Sequence, residues 1–258
     1  MIWGKEMKIS VCGKGGSGKS TVVSLLANQA GVRGHDVLVV DADESNSGLF
    51  RMLGFQQSPI PLMELVGGKD KLKTKMNQPN ILAESRIAIE NIPSKYVLSR
   101  NALKLVSIGK ILQSLEGCAC PMGVLSREFL NKLQLESNEI AIVDMEAGVE
   151  HFGRGIDTSI DNILLVVEPS LESITVAEKI KGFAADIKKN IRAVLNKIYS
   201  NGLSLKLENE LRARKIEVIG VIPDDPVVFE ACLEGHALDR GEAFNAAGKI
   251  LDCLLPQH

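Results

Sequence analysis

A short apolar strand, a glycine-rich turn and a helix start constrain this chain more than any other feature. Ile9-Ser10-Val11-Cys12 reads as the strand and Val22-Val23-Ser24-Leu25-Leu26-Ala27 as the helix. Between them lies Gly13-Lys14-Gly15-Gly16-Ser17-Gly18-Lys19-Ser20-Thr21. Backbone N–H groups in such a turn converge on one point, and the glycines let a bulky anion approach closely. A polyphosphate is the anion that fits this setting, with Lys19 on its β/γ oxygens and the Ser20 hydroxyl on Mg²⁺. All nine residues, Gly13 to Thr21, are therefore candidate nucleotide contacts. Lys14 stands five residues before Lys19. Two ammonium groups so close are costly unless a polyphosphate neutralises both.

The rest of the chain alternates strand and helix. Strands are predicted at 8–12, 36–41, 104–108, 139–144, 162–167, 191–195 and 216–222, and helices at 19–32, 123–134, 171–189, 205–213, 226–234 and 241–254. Val37-Leu38-Val39-Val40, Ile140-Ala141-Ile142-Val143 and Ile163-Leu164-Leu165-Val166-Val167 are continuous apolar runs, the pattern of strands buried on both faces of a parallel sheet. The expectation is an α/β, doubly wound, mostly parallel sheet flanked by helices, with ligands at the carboxyl ends of its strands. A length of 258 residues suits one such domain, 1–258. Residues 55–103 are less regular, and their lysine run (Lys69, Lys71, Lys73, Lys75) reads as a solvated helix face or loop, with a lid or partner-docking surface as the other reading.

Two strands end in acid. Asp41-Ala42-Asp43-Glu44 closes a strand expected beside that of the glycine-rich turn, where its carboxylates would face the γ-phosphate; capping of the following turn is the alternative. Ile140-Ala141-Ile142-Val143-Asp144 has the form of a Walker B strand, with Asp144 reaching Mg²⁺ through water. Asn196 follows another strand, and Gly220-Val221-Ile222-Pro223-Asp224 closes the last.

A net charge of −2 and 4% aromatic residues argue against nucleic acid as a partner. No apolar run reaches about 18 residues, so no membrane helix is expected. Residues 1–6 lack a signal-peptide core and read as an N-terminal extension, so a cytoplasmic address is expected. Five cysteines in such a chain suggest thiols or metal ligands over disulfides. Cys118-Ala119-Cys120-Pro121 places two thiols one residue apart, able to converge on one soft metal ion. A tetrahedral four-sulfur site needs a second pair, which a symmetric homodimer supplies. Cys12 reads as core packing, Cys232 and Cys253 as structural. His151 is either a coupling residue or a hydrogen-bonded structural one.

The Lys14-containing loop resembles the deviant P-loop of the MinD/ParA/nitrogenase-iron-protein family, a branch of the SIMIBI-class P-loop NTPases. That resemblance implies an ATPase in which Lys14 reaches the partner's nucleotide across a homodimer. It makes Lys14, Lys19 and Asp43 catalytic, with Asp43 acting on the attacking water. Asp41 would support Mg²⁺ alongside Ser20 and Asp144, and Asn196, Ile222, Pro223 and Asp224 would read adenine. Gly148 would belong to a switch loop. Glu116-Gly117-Cys118-Ala119-Cys120-Pro121-Met122-Gly123 and Met145-Glu146-Ala147-Gly148-Val149-Glu150-His151 look more narrowly like the CooC group of nickel-insertion ATPases, whose sister is AcsF. Glu146, where most MinD-like proteins have proline, agrees with that group. The resemblance runs from Met7 to about Leu254. It implies Ni²⁺ (or Zn²⁺) held by Cys118 and Cys120 of both subunits. The client it implies is carbon monoxide dehydrogenase or acetyl-CoA synthase. Two other readings stay open: an iron–sulfur reductase using the same four thiolates, and a positioning ATPase of MinD or ParA type, against which the short, non-basic tail and the net charge both argue.

Overall fold

A computed structural model describes residues 6–45, 47–75, 77–78, 80–109, 120–146 and 159–255. The first half of the chain forms β1 (Met7–Gly13), α1 (Lys19–Val32), β2 (Asp36–Asp41), α2 (Leu49–Met52), α3 (Gly68–Lys75), β3 (Ile87–Ala88), β4 (Leu98–Arg100) and β5 (Leu103–Ser107). There follow α4 (Cys120–Lys132), β6 (Leu133–Gln134), β7 (Glu139–Asp144), β8 (Asn162–Val167) and α5 (Leu171–Asp186). The chain continues with β9 (Ile191–Ile198), α6 (Asn201–Ala213), β10 (Glu217–Pro223), α7 (Pro226–Glu234) and α8 (Glu242–Leu254).

Eight strands make one sheet in the order β10-β9-β8-β1-β7-β2-β5-β4, and β3 pairs with β6 apart from it. Every pairing in the large sheet is parallel except that of the short edge strand β4 with β5. Strands fed by crossover helices run parallel, whereas β4 turns straight into β5 through Asn101, whose φ of 52° suits a tight reversal. The doubly wound, mostly parallel sheet expected from the apolar runs is present.

Both faces of the sheet are apolar. Val37 and Val39 of β2 pack with α1 and α8 on one face, while Leu38 and Val40 join the cluster that includes α4, α5 and α6 on the other. The same period of two splits Ile9 and Val11 from Cys12 in β1. Cys12 is thus core, as expected. Cys232 and Cys253 sit in helices but on exposed surface, so neither is a core residue.

One expectation about placement is corrected. β2 does not adjoin β1; β7 lies between them, paired with each in parallel register. The run at Lys69–Lys75 forms α3, which buries Leu72, and its lysines are exposed or half-buried, as on a solvated helix face. The irregular stretch around it adopts short 3₁₀ turns at Leu62–Val66, Ile89–Asn91 and Ser94–Tyr96, where prolines interrupt longer periodicity.

At the carboxyl end of β1 the backbones of two strands approach closely. Gly13 pairs with Val166 of β8 and has a φ of 150°. A Cβ there would lie 2.5 Å from the Val166 carbonyl oxygen, a backbone atom that cannot swing aside. Gly13→Ala is therefore expected to lower stability by roughly 1–3 kcal/mol through backbone strain. Urea unfolding should show a lower midpoint with an unchanged slope.

Candidate nucleotide-binding site

The turn after β1 carries three glycines at positive φ, Gly13, Gly16 (80°) and Gly18 (91°), which curl the backbone around an open centre. The turn closes on itself through the Ser17 N–H, which donates to the Lys14 carbonyl at 3.2 Å. α1 begins at once, and no side chain caps its N-terminus. By contrast α5, α6 and α7 are capped by Ser170, Ser200 and Asp225. The first N–H groups of α1 thus point into the turn without a side-chain acceptor, with the positive end of the helix behind them. Lys19, 6% exposed, adds a positive charge at the same place.

Opposite the turn stand three carboxylates. Asp41 and Asp144 end neighbouring strands in register with each other, and Asp43 follows on the loop after β2. All three are buried. The Ser20 hydroxyl donates to Asp144 Oδ2 at 2.5 Å, while Oδ1 of the same carboxylate is buried with no hydrogen-bond partner. Burial pushes the Asp144 carboxyl up to about 7, and the charges of Asp41 and Asp43 add to that, against the Ser20 hydrogen bond and the Lys19 charge. A hydroxyl and an unpartnered buried carboxylate oxygen are hard donors of the kind Mg²⁺ takes, and a cation there would relieve the like-charge crowding. The expected Mg²⁺ residues Ser20, Asp41 and Asp144 are therefore brought together. Among the described residues, no group of three or more His, Cys, Asp or Glu side chains is arranged to hold a metal ion by itself.

Asp43 also does what the alternative reading proposed. Its Oδ1 accepts from the Ser45 N–H at 2.9 Å and the Ser45 hydroxyl at 2.6 Å, holding its own turn. Asn196 is placed with a second task as well: its Nδ2 donates to the Ser17 carbonyl at 2.9 Å and braces the turn. That amide lies so near Gly18 that a Cβ there would come within 2.3 Å of it. Asn196 nonetheless lines a cavity of about 220 Å³ with Thr21, Ile222, Pro223, Asp224 and Phe229. The residues expected to read adenine thus share one pocket beside the start of α1, and the exposed ring of Phe229 at its wall was not anticipated.

Sequence reasoning also missed Glu168 and Lys197. Glu168, just past β8, accepts from Lys14 at 2.7 Å on one oxygen and from Lys197 at 2.8 Å on the other. Lys197 further donates to the Gly16 carbonyl at 2.6 Å. Glu168 carried the same signal as Asp41 and Asp144, an acid at the end of a buried strand. Cys118, His151 and Gly148 lie outside the described residues. Cys120 opens α4, and its side chain is likewise not described.

An uncapped helix behind a glycine turn, with a buried lysine and a carboxylate pair across from it, defines a P-loop nucleotide-binding protein. The chain belongs to the CobQ/CobB/MinD/ParA nucleotide-binding family, a family of P-loop ATPases, whose model matches residues 9–238. It is 42% identical over 238 residues to an uncharacterized ATP-binding protein of Methanocaldococcus jannaschii, covering 90% of this chain and 94% of that one. It is 31% identical over 233 residues to the carbon monoxide dehydrogenase accessory protein CooC of Rhodospirillum rubrum, covering 87% and 86%. In fold it is similar to the septum site-determining protein MinD of Pyrococcus horikoshii, solved with Mg-ADP, at a TM-score of 0.73 and 20% identity, covering 97% of this chain and 96% of that one. The family implies ATP or ADP with Mg²⁺ as ligands. No helix among the described residues is long and apolar enough to cross a membrane.

The raised value for Asp144 fixes a sign. From its ordinary 3.8 to about 7 the metal-free folded state holds a proton that the unfolded chain has lost. Stability of that form should fall as pH rises through this window and level off above it. Asp144→Asn should remove the slope and raise the melting temperature in chelator at pH 7.5 by at least about 2 °C. It should also abolish the further rise that Mg²⁺ gives the unsubstituted protein. Thermal melts with chelator and with Mg²⁺ at pH 5 and 7.5 check all three points.

Proposed function

We propose that this chain is a homodimeric, Mg²⁺-dependent ATPase that delivers nickel to a nickel–iron–sulfur enzyme, with carbon monoxide dehydrogenase as the client and acetyl-CoA synthase as the alternative one. The observation that carries the reading is a pairing of two features in one chain: a Lys14-bearing phosphate loop and a Cys118-x-Cys120 pair. β5 runs beside β2, and the Ile108 N–H donates to the Asp41 carbonyl at 3.0 Å, ten residues before Cys118 in the sequence. Similarity to the carbon monoxide dehydrogenase accessory protein CooC supports carbon monoxide dehydrogenase as client, while nickel as cargo rests on the paired cysteines.

In this reading Lys19 and the first turn of α1 hold the phosphates. Asp43 orients or deprotonates the attacking water, and Lys14 contacts the nucleotide of the partner subunit. Mg²⁺ supplies charge neutralisation at the phosphates, held by Ser20 and, directly or through water, by Asp41 and Asp144. Cys118 and Cys120 from both subunits bind the cargo ion as thiolates, so loading weakens as pH falls. Zn²⁺ competes well for four sulfurs, and affinity alone does not select the metal.

Two measurements test it. Asp43→Ala should lower the ATP hydrolysis rate by roughly 10²–10⁴-fold, the range for a lost base or water-positioning group, and normal hydrolysis by that variant would remove Asp43 from the mechanism. Elemental analysis of anaerobically purified, nickel-loaded protein should give one nickel per two chains, lost in Cys118→Ser/Cys120→Ser. Iron with sulfide in that protein would point to a reductase, and no metal in either would leave an ATPase without a metal cargo.

A further inference from the structure

Lys14 is not free to reach outward in this structure. Its ammonium donates to Glu168 Oε1 at 2.7 Å, within its own chain, and is about one-third exposed. Glu168 is rigidly held for the task. Its N–H donates to the Ser173 hydroxyl at 3.1 Å, and its carbonyl accepts from the Ser170 N–H at 2.7 Å, so the residue is fixed by the first turn of α5. Immediately before it, β8 is locked against the end of β1 by the Gly13–Val166 pairing.

The second carboxylate oxygen holds Lys197 at 2.8 Å, and Lys197 is pinned in turn to the Gly16 carbonyl at 2.6 Å. Lys197 adopts a φ of 60°, a left-handed conformation that an ordinary side chain takes only where its surroundings demand it. Burial pushes the Glu168 carboxyl up, but its hydrogen bonds with Lys14 and Lys197 more than offset this and hold it below the ordinary range. The Glu168 hydrogen bond chiefly, opposed by burial, raises Lys14, and the more distant charge of Glu172 contributes.

The arrangement is asymmetric. Among the described residues Lys14 has one carboxylate contact, at 2.7 Å, whereas Glu168 keeps a second cation if Lys14 leaves. Departure of Lys14 therefore does not orphan a half-buried charge, and the phosphate loop stays stapled by Lys197 throughout. We propose that Glu168 is a positioning residue that parks Lys14 within its own subunit, with Lys197 as the fixed post, so that Lys14 must be released before it can serve a nucleotide in the partner subunit. The proposal rests on the dimeric reading above. It adds that closure of the dimer exchanges one carboxylate contact for a phosphate contact, and that the parked state holds down closure at low nucleotide.

The test has two arms. Competitive amine labelling of the nucleotide-free protein, read by mass spectrometry, reports Lys14 directly. Glu168→Gln and, as a second variant, Glu168→Ala should raise the labelling rate of Lys14 several-fold, with buried Lys19 in the same loop as the internal reference. Light scattering across an ATP titration reports dimerisation. The ATP concentration at the midpoint should fall about three- to tenfold in Glu168→Gln, as expected when an occluded state is removed from the population. Unchanged labelling of Lys14 overturns the proposal, as does labelling that rises equally at Lys14 and Lys19, which would mean a loosened loop. Faster Lys14 labelling with an unmoved midpoint also overturns it, since the contact would then not oppose closure. If the unsubstituted protein forms no dimer with ATP, or if Lys14→Ala dimerises as well as it does, the dimeric reading itself fails, whatever the labelling shows.

Discussion

The parallel pairing of β1 with a strand on either side is the constraint from which the site follows. β7 and β8 run in the same direction as β1, so all three strands deliver their carboxyl ends to one place. Asp144 arrives from one side of the glycine turn and Glu168 from the other. The approach is close enough at Gly13 that only a residue without a Cβ fits. A sheet held this tightly cannot absorb movement at its centre, because packed interiors are crystalline in density.

Charge is divided across the site by the same geometry. Lys14, Lys19 and Lys197 lie in or against the turn, while Asp41, Asp43 and Asp144 face it. Glu168 serves two of the cations, and the Ser20 hydroxyl gives the buried Asp144 a single hydrogen bond. A magnesium–polyphosphate pair would complete both halves at once, its cation among the carboxylates and its anion among the N–H groups and ammoniums. That complementarity explains why a fold can carry an Asp144 whose proton is held up to about pH 7.

Much of this was legible in the residues. The glycine turn announces its own function because backbone geometry and composition agree over nine consecutive positions. Asp41 and Asp144 are legible because each is an acid that ends a wholly apolar strand, at the carboxyl edge where ligands bind in such sheets. Glu168 has the same form, yet it went unnoticed, since nothing local marks a glutamate as the partner of a lysine 154 positions away. Asn196 was placed at the adenine pocket by resemblance, and its hydrogen bond to the Ser17 carbonyl was invisible because it depends on how β9 lies beside the turn. The lysine run at Lys69–Lys75, expected as a solvated helix face or loop, forms the helix α3 with Leu72 buried.

By itself, then, the sequence determined the long strands and helices, the parallel class of the sheet and the chemistry of the phosphate turn, because periodicity, glycine placement and strand-end charge are local quantities. Strand order was decided by tertiary structure alone. β2, β7 and β8 are equally apolar, and nothing in their composition says which of them lies next to β1; the expectation that β2 did was corrected by the pairing of β7 with both. The tethering of Lys14 to Glu168 was decided there too. Its physical reason is the same, since a contact between two strand ends exists only once non-local pairing has set the strands side by side.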